Sequence, residues 1–241
     1  MRVEAQPAFV LHARAWRETS VIVELLTRDH GRVGVVARGL TSPKRQPLRA
    51  ALQPLQSIRV DYLPRGELAR LLQAEATDVA PVLSGDRLLA AFYINELMLR
   101  LSPRNDAAPA LHALYARVRG ELGGHGLAWT LRRFERDLLD AIGLGLPWAE
   151  AAEGEDVAPD RRYRLDPEAG PIPDLRRGGE TVSGVALQAL ASDREPGPAE
   201  LAELRRALRP VLSAALGGGA LKSWSLLDDL ARVRPRGADQ D

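Results

Sequence analysis

Cationic side chains are concentrated in one short segment, where they could hold phosphate groups. Between Gly39 and Arg49 the chain carries three cations and no acid, and Arg38 comes directly before this stretch. Two prolines and a glycine interrupt it, so we expect a loop whose charged groups stay at the surface. Ammonium and guanidinium groups are the donors that proteins use for phosphate oxygens. The segment therefore predicts contact with a polyanion through Arg38, Lys44, Arg45 and Arg49.

Three more cations and one aromatic ring stand at predicted strand ends on the same part of the chain. Arg14 and Arg17 flank a predicted turn, and Arg65 occupies another. The ring of Trp16 lies in the first of these turns, where a nucleic-acid base could stack on it. We expect the loops that carry these residues to converge. The other two aromatic residues fall on apolar strand faces and are predicted to belong to the core: Phe9 and Tyr62.

Charge is distributed unevenly along the chain. The whole sequence has 33 Lys and Arg residues against 32 Asp and Glu residues, a formal charge of +1. Residues 1–77 hold twelve bases and seven acids, a charge of +5, so the remaining 164 residues carry −4. A basic amino-terminal part beside a mildly acidic remainder predicts one surface that binds polyanions.

Composition excludes several classes of site, and the sequence lacks the motifs of others. The absence of cysteine rules out disulfides, thiolate zinc sites and a cysteine nucleophile. The four histidines show no metal-ligand spacing, and no phosphate-binding loop motif occurs. We therefore expect no catalytic residues, no metal and no cofactor. No apolar run approaches the ~20 residues that cross a bilayer, which predicts a cytoplasmic protein without membrane contact.

Two kinds of periodicity divide the chain. The first 75 residues read as five short strands without room for crossover helices, which predicts a small antiparallel sandwich or barrel. Apolar residues then recur every three or four positions, which predicts about six helices. Arg161 to Leu165 and Ile172 form a hairpin candidate. The predicted fold class is α+β, with a β domain at 1–79, a helical domain at 80–235, a loop-rich insert at 147–180 and a disordered tail at 236–241.

Short segments in a fixed order carry a resemblance to a known family. They include Ala8-Phe9-Val10-Leu11-His12, Val36-Ala37-Arg38-Gly39, Arg65-Gly66-Glu67, Tyr93-Ile94-Asn95-Glu96-Leu97 and Leu131-Arg132-Arg133-Phe134-Glu135. In their order and spacing the chain resembles the bacterial DNA repair protein RecO family along nearly its whole length. The resemblance implies an amino-terminal OB-fold barrel and a carboxy-terminal helical domain. Many relatives hold zinc with four cysteines that this chain lacks.

The resemblance also implies a function and partners. RecO proteins bind single- and double-stranded DNA and anneal complementary strands in the RecF pathway. With RecR they assist RecA loading on DNA coated with single-stranded DNA-binding protein (SSB), whose acidic carboxy-terminal tail they bind. Such a protein is not an enzyme and would be associated with the nucleoid. The cations and Trp16 named above become candidate DNA contacts.

The third predicted helix is the candidate site for the SSB tail. Its apolar stripe includes Leu131 and Leu138, and Arg132 and Arg133 are expected on the flanks. An acidic tail that ends in an apolar residue needs a pocket for that side chain and a cation for its carboxylate. Periodicity by itself equally fits a core helix with a charged outer face.

Two other functions stay open on the sequence. The first is a magnesium-dependent nuclease whose carboxylates are gathered from distant positions. The second is an adaptor whose OB-fold binds only protein. Cleavage of single strands in the presence of magnesium would favour the nuclease, and failure to bind strands at low salt would favour the adaptor.

Overall fold

The computed structural model describes residues 2–174 and 180–226. The chain divides into two compact units. The first contains the residues up to Ala108 together with those from Ala220 onward, and the second is Pro109–Gly219. The first unit extends beyond residue 79, where the sequence predicts the end of the first domain, and that boundary stays a prediction.

Five strands of the first unit form a closed barrel: β1 (Val3–Trp16), β2 (Ser20–Thr27), β3 (Gly31–Ala37), β4 (Ser57–Leu63) and β5 (Ala69–Ala76). Their order around the barrel is β1-β2-β3-β5-β4. Only β3 and β5 pair in parallel. Alternate side chains such as Val23, Leu25 and Val60 point inward and are fully buried, as the two-residue period of a strand requires. The prediction of five strands is confirmed, and the architecture is a barrel.

The connection from β3 to β4 is helical where the sequence predicts a loop. Pro43–Arg45 forms a short 3-10 helix and Gln46–Ala51 forms α1. A proline stands at the start of each, where its fixed φ favours a helical turn and its missing N–H costs nothing. The apolar side of the connection adds Leu40 and Leu52 to the barrel core. The loop prediction is wrong for this segment because its spacing of apolar and charged residues is also that of a short amphipathic helix.

The helix α2 (Gly85–Leu101) packs against the barrel through a buried polar contact. The pairing of β1 with β2 shifts by one residue between Val10 and His12, which takes the intervening Leu11 out of the regular ladder. The Asn95 side-chain amide donates to the Leu11 carbonyl oxygen at 2.9 Å. Because a buried carbonyl without a partner costs about 1–3 kcal/mol, Asn95 holds the bulge and the helix together.

In its described residues, the second unit contains four α-helices and a small sheet. The sheet has the order β7-β6-β8 with antiparallel neighbours. The helices bury the apolar stripes that the sequence predicts, with Phe134, Leu138 and Leu208 almost fully enclosed. The elements are α3 (Pro109–Glu121), α4 (Leu127–Ala141), β6 (Arg162–Asp166), β7 (Gly170–Pro173), β8 (Thr181–Ser183), α5 (Gly184–Ala191) and α6 (Pro198–Ala215).

The described part of the cysteine-free insert contains a small sheet and buried aromatic side chains. The predicted hairpin is confirmed as β6 and β7, and β8 adds a third strand. Trp148 and Tyr163 are buried, and the Tyr163 hydroxyl accepts a hydrogen bond from the amide of Ala158 at 2.8 Å. Aromatic burial of this kind can hold a short segment without a metal. Residues 175–179 of the predicted insert lie outside the described part.

The last described residues return to α2. The Glu96 carboxylate accepts hydrogen bonds from the amides of Lys222 and Ser223 at 2.7 and 2.8 Å. Residues 222–226 are helical. The rest of the predicted helix from Leu221 to Val233 and the predicted tail at 236–241 lie outside the described residues. None of the described helices is both long and apolar enough to cross a membrane.

Candidate nucleic-acid interface

Two connections of the barrel meet at one of its ends. The turn between β1 and β2 lies beside the end of β3, since Val21 at the start of β2 pairs with Ala37. The amide of Leu40 donates to the carbonyl of Thr19 at 3.0 Å, which ties the segment after β3 to that turn. Because β4 runs opposite to β5 and therefore to β3, the connection also enters β4 at this end. We call this surface the cationic end and define it by Arg14, Trp16, Arg17, Arg38, Lys44, Arg45 and Arg49.

Trp16 is the exposed aromatic ring of the cationic end. Its relative exposure is 40%, and two guanidinium groups lie beside it. The Arg14 Cζ is 5.8 Å and the Arg17 Cζ 6.0 Å from the ring centroid, within range of cation–π contacts. Arg17 adopts a left-handed backbone with φ of 56°, which turns the chain sharply after β1. The arrangement places a stacking surface and two phosphate-binding groups side by side.

The helical connection contributes the other charges. Arg38, Lys44 and Arg45 are exposed and form no ion pair within the described part of the chain. The Arg49 guanidinium donates to the carbonyl of Leu40, which braces the connection. Six cations thus belong to this end, and Glu18 in the turn is the acid nearest to them in sequence. The predicted surface exposure of the basic segment is confirmed.

Arg65 occupies the turn between β4 and β5 and is exposed. Ala69, the first residue of β5, pairs with Val35, two residues before the end of β3. The convergence of the Arg65 loop with those of Arg14 and Arg17 stays a prediction. A DNA contact by Arg65 stays a prediction.

Three cations elsewhere on the barrel are neutralised by neighbouring acids. Arg2 lies 2.6 Å from Asp61, Arg28 lies 2.9 Å from Asp29, and Arg32 lies 3.1 Å from Glu24. The Ala5 amide and Arg2 together hold the pKa of the Asp61 carboxyl below its usual value. At the cationic end none of the six cations forms an ion pair within the described residues, a property that Arg59, Arg65 and Arg70 share. Whether a cation is paired depends on the tertiary structure and has no signal in the sequence.

The remaining aromatic residues of the barrel are in the core, as predicted. Phe9 and Tyr62 have relative exposures of 6% and 3%. Burial raises the pKa of Tyr62 to about 12. Trp16 is thus the one exposed ring among the three aromatic residues that precede residue 80.

Two exposed arginines of the barrel were not among the predicted contacts. Arg59 and Arg70 project from β4 and β5, and neither forms an ion pair with a described residue. Arg59 stands opposite Glu75 in the strand pairing, whereas Arg70 stands opposite Leu63. The alternation of Arg59 with buried Ile58 and Val60 was the sequence signal for an outward side chain.

The predicted tail-binding helix is α4, and its cations are engaged within the fold. Arg132 has a relative exposure of 6% and pairs with the buried Glu135 carboxylate at 2.5 Å. Arg133 pairs with Glu121 at 2.7 Å and stacks over Trp129, with its Cζ 5.8 Å from the ring centroid. The expectation of solvent-exposed flanks is wrong for Arg132, because the acid three residues later turns that face inward.

The apolar half of that predicted site is also enclosed. Leu138 is fully buried and Leu131 is half-buried. A fully buried side chain cannot line a pocket that is open to a peptide. Leu131 and Arg133 are therefore the predicted tail contacts that keep surface exposure.

No metal centre is found in the described ranges. Among residues 2–174 and 180–226, no group of three or more His, Asp or Glu side chains could hold an ion. The acids of the barrel that were described above form ion pairs instead.

Comparison with known proteins agrees with the fold. The model for the Recombination protein O N terminal domain matches residues 1–80, and that for the Recombination protein O C terminal domain matches residues 83–225. A DNA repair protein RecO from Xanthomonas euvesicatoria pv. vesicatoria is 53% identical over 242 residues, covering 97% of this chain and 100% of the relative. One from Stenotrophomonas maltophilia is 53% identical over 239 residues with the same coverage. The chain therefore belongs to the RecO family of DNA repair proteins.

Proposed function

We propose that this protein binds single- and double-stranded DNA at the cationic end of its barrel and anneals complementary strands. The observation that carries the proposal is the set of exposed cations without acidic partners beside the exposed ring of Trp16. Cations in a groove and aromatic rings are the two elements by which barrels of this kind bind single strands. Membership of a DNA repair family supports the same ligand.

Annealing requires no catalytic group in this account. Cations of the protein replace the counterions of the phosphates, which reduces the repulsion between two strands held on one protein. Base pairing between the strands then supplies the free energy. Because phosphate contacts carry no base information, we expect little sequence preference and binding to duplexes as well.

Loss of the Trp16 ring should weaken binding of single strands moderately. For Trp16→Ala we expect about fivefold lower affinity, since one base–aromatic contact contributes about 1 kcal/mol or somewhat more. The dependence of affinity on salt should stay the same, because no charge is removed. Trp16→Phe keeps a ring and should bind within about twofold of the parent. Fluorescence anisotropy with an oligonucleotide measures both variants, and equal affinity of all three proteins would exclude stacking.

The proposal extends to the partners that the family role implies. Together with RecR, the protein would assist RecA loading on SSB-coated DNA at the nucleoid, and α4 would bind the SSB tail. A tail carboxylate would have to compete with Glu121 for Arg133. We therefore expect Arg133→Ala to weaken binding of a labelled tail peptide. Arg132→Ala is a poor probe, since it removes a cation from the buried Glu135 and lowers folding stability.

One experiment tests the proposal as a whole. Complementary fluorescent oligonucleotides are coated with SSB, with and without its acidic tail, and mixed with the protein. Faster annealing that depends on the tail supports both strand annealing by this protein and its binding to the SSB tail. Cleavage of the strands in magnesium would instead identify a nuclease. Failure to bind strands even at low salt would identify a protein-only adaptor.

A further inference from the structure

The second unit is acidic overall, yet it leaves a few arginines without acids. Residues 109–219 contain 14 arginines and 17 acids. Seven of the twelve described arginines form ion pairs with acids, as when Arg162 lies 2.8 Å from Glu203 and Arg161 lies 3.3 Å from Glu155. An exposed arginine without an acidic partner is therefore a group that the fold itself does not neutralise.

Helix α6 carries such arginines on its outer side. Arg205 and Arg206 are exposed and form no ion pair within the described residues. Arg209 is exposed one turn later, about 6 Å along the helix axis from Arg205. The opposite side of the helix is buried through Leu204, Leu208 and residues beyond them, so the helix keeps Arg205 and Arg206 on its solvent-exposed side.

The chemistry of this face favours a phosphate backbone over a protein. Protein partners are anchored by large apolar or aromatic side chains in the centre of the contact. Throughout α6, all of which is described, no large apolar side chain is exposed. The exposed neighbours of the arginines are small, namely Ala199 and Ala202. A surface that offers guanidinium groups without apolar anchors suits phosphate oxygens, which need only charge and hydrogen-bond donors.

We infer that the outer face of α6, with Arg205 and Arg206 as its unpaired cations, is a second binding site for the phosphate backbone of a nucleic-acid strand. The inference rests on the proposed function, since annealing needs two strands on one protein. The cationic end of the barrel takes one strand, and this face takes the other. Its ligand class is a single strand of nucleic acid, bound without base recognition.

The test is the double variant Arg205→Glu with Arg206→Glu, compared with Arg161→Glu with Arg194→Glu. Both variants change the net charge of the second unit equally. Arg161 is already paired with Glu155, and Arg194 precedes the first residue of α6, so neither belongs to the α6 face. All four side chains are exposed, which leaves the folding of both variants intact.

Two readouts are followed with oligonucleotides of ~10 nucleotides, within the range that one site covers. The parent and the control should bind two strands per chain, and the α6 variant should bind one. At about 0.1 M salt, loss of two phosphate contacts should weaken the second strand about 25-fold, since each contact contributes a factor of about 5. Annealing should slow by about the same factor.

The other outcomes overturn the inference in different ways. If the parent itself binds no strand, the proposed function fails and the inference fails with it. If the parent anneals and the α6 variant anneals equally well, the proposed function stands and the second site is wrong. Equal losses in both variants would assign the effect to net charge. An α6 variant that keeps both strands but no longer binds an acidic protein would assign this face to a protein partner.

Discussion

Replacing Arg38, Lys44 and Arg45 together by alanine should lower the affinity for single-stranded DNA about 100-fold at about 0.1 M salt. Each phosphate contact on a single strand releases about 0.7 of a counterion, which at this salt concentration corresponds to a factor of about 5. Three contacts multiply to about 125. The three side chains are exposed and form no ion pair with a described residue, so their loss should leave folding unchanged.

A matched control separates local charge from net charge. Arg2, Arg28 and Arg161 are equally exposed, but each forms an ion pair with an acid. Replacing these three by alanine removes the same net charge and should change the affinity less than about threefold. Filter binding or anisotropy at one salt concentration compares the two triple variants. Equal affinities would show that the cationic end has no special role.

Gly31→Ala should destabilise the first unit by more than about 3 kcal/mol. Gly31 has a φ of 61°, and a Cβ at this position would lie 1.8 Å from the carbonyl oxygen of Asp106. The backbone here also exchanges two hydrogen bonds, from the Arg32 amide to Pro103 and from the Asn105 amide to Arg32, both at 3.0 Å. The left-handed conformation costs about 1–2 kcal/mol for alanine, and each hydrogen bond lost costs about 1 kcal/mol more.

Gly39→Ala is the control for this prediction. Gly39 has a similar φ of 70°, but no atom lies within 4 Å of its Cβ position. The free energy of unfolding should therefore fall only by the cost of the left-handed backbone conformation, about 1 kcal/mol. Urea unfolding of both variants measures the difference. If the two glycines proved equally tolerant, the close approach of residues 103–106 to β3 would not contribute to stability.

Regular elements were predictable because their periodicity is local. The alternation of Ile58, Val60 and Tyr62 with polar residues identifies β4, and the three- and four-residue steps identify α2, α4 and α6. The short α1 was missed because prolines and charges indicate a loop as readily as a helical start. The apolar stripe of α4 was found, but the burial of Arg132 depends on its pairing with Glu135, which periodicity does not describe.

The candidate site was predictable only in part. The sequence shows where cations are clustered. Because a cluster of charged side chains stays at the surface, the exposure of Arg38, Lys44 and Arg45 could be predicted. The sequence does not show that the amide of Leu40 ties the segment after β3 to the turn between β1 and β2. Nor does it show which arginines find acids, since Arg32 meets Glu24 only when β2 and β3 pair. Neutralisation is a property of the folded chain.

The salt dependence of single-strand affinity tests the central claim most directly. If Arg14, Arg17, Arg38, Lys44 and Arg45 each replace a counterion, the logarithm of the association constant should fall with the logarithm of salt concentration with a slope of roughly −3.5. Titrations of the unmodified protein at several salt concentrations between about 0.05 and 0.3 M give this slope. A slope near −3.5 agrees with phosphate binding by these cations, and a slope near zero contradicts it.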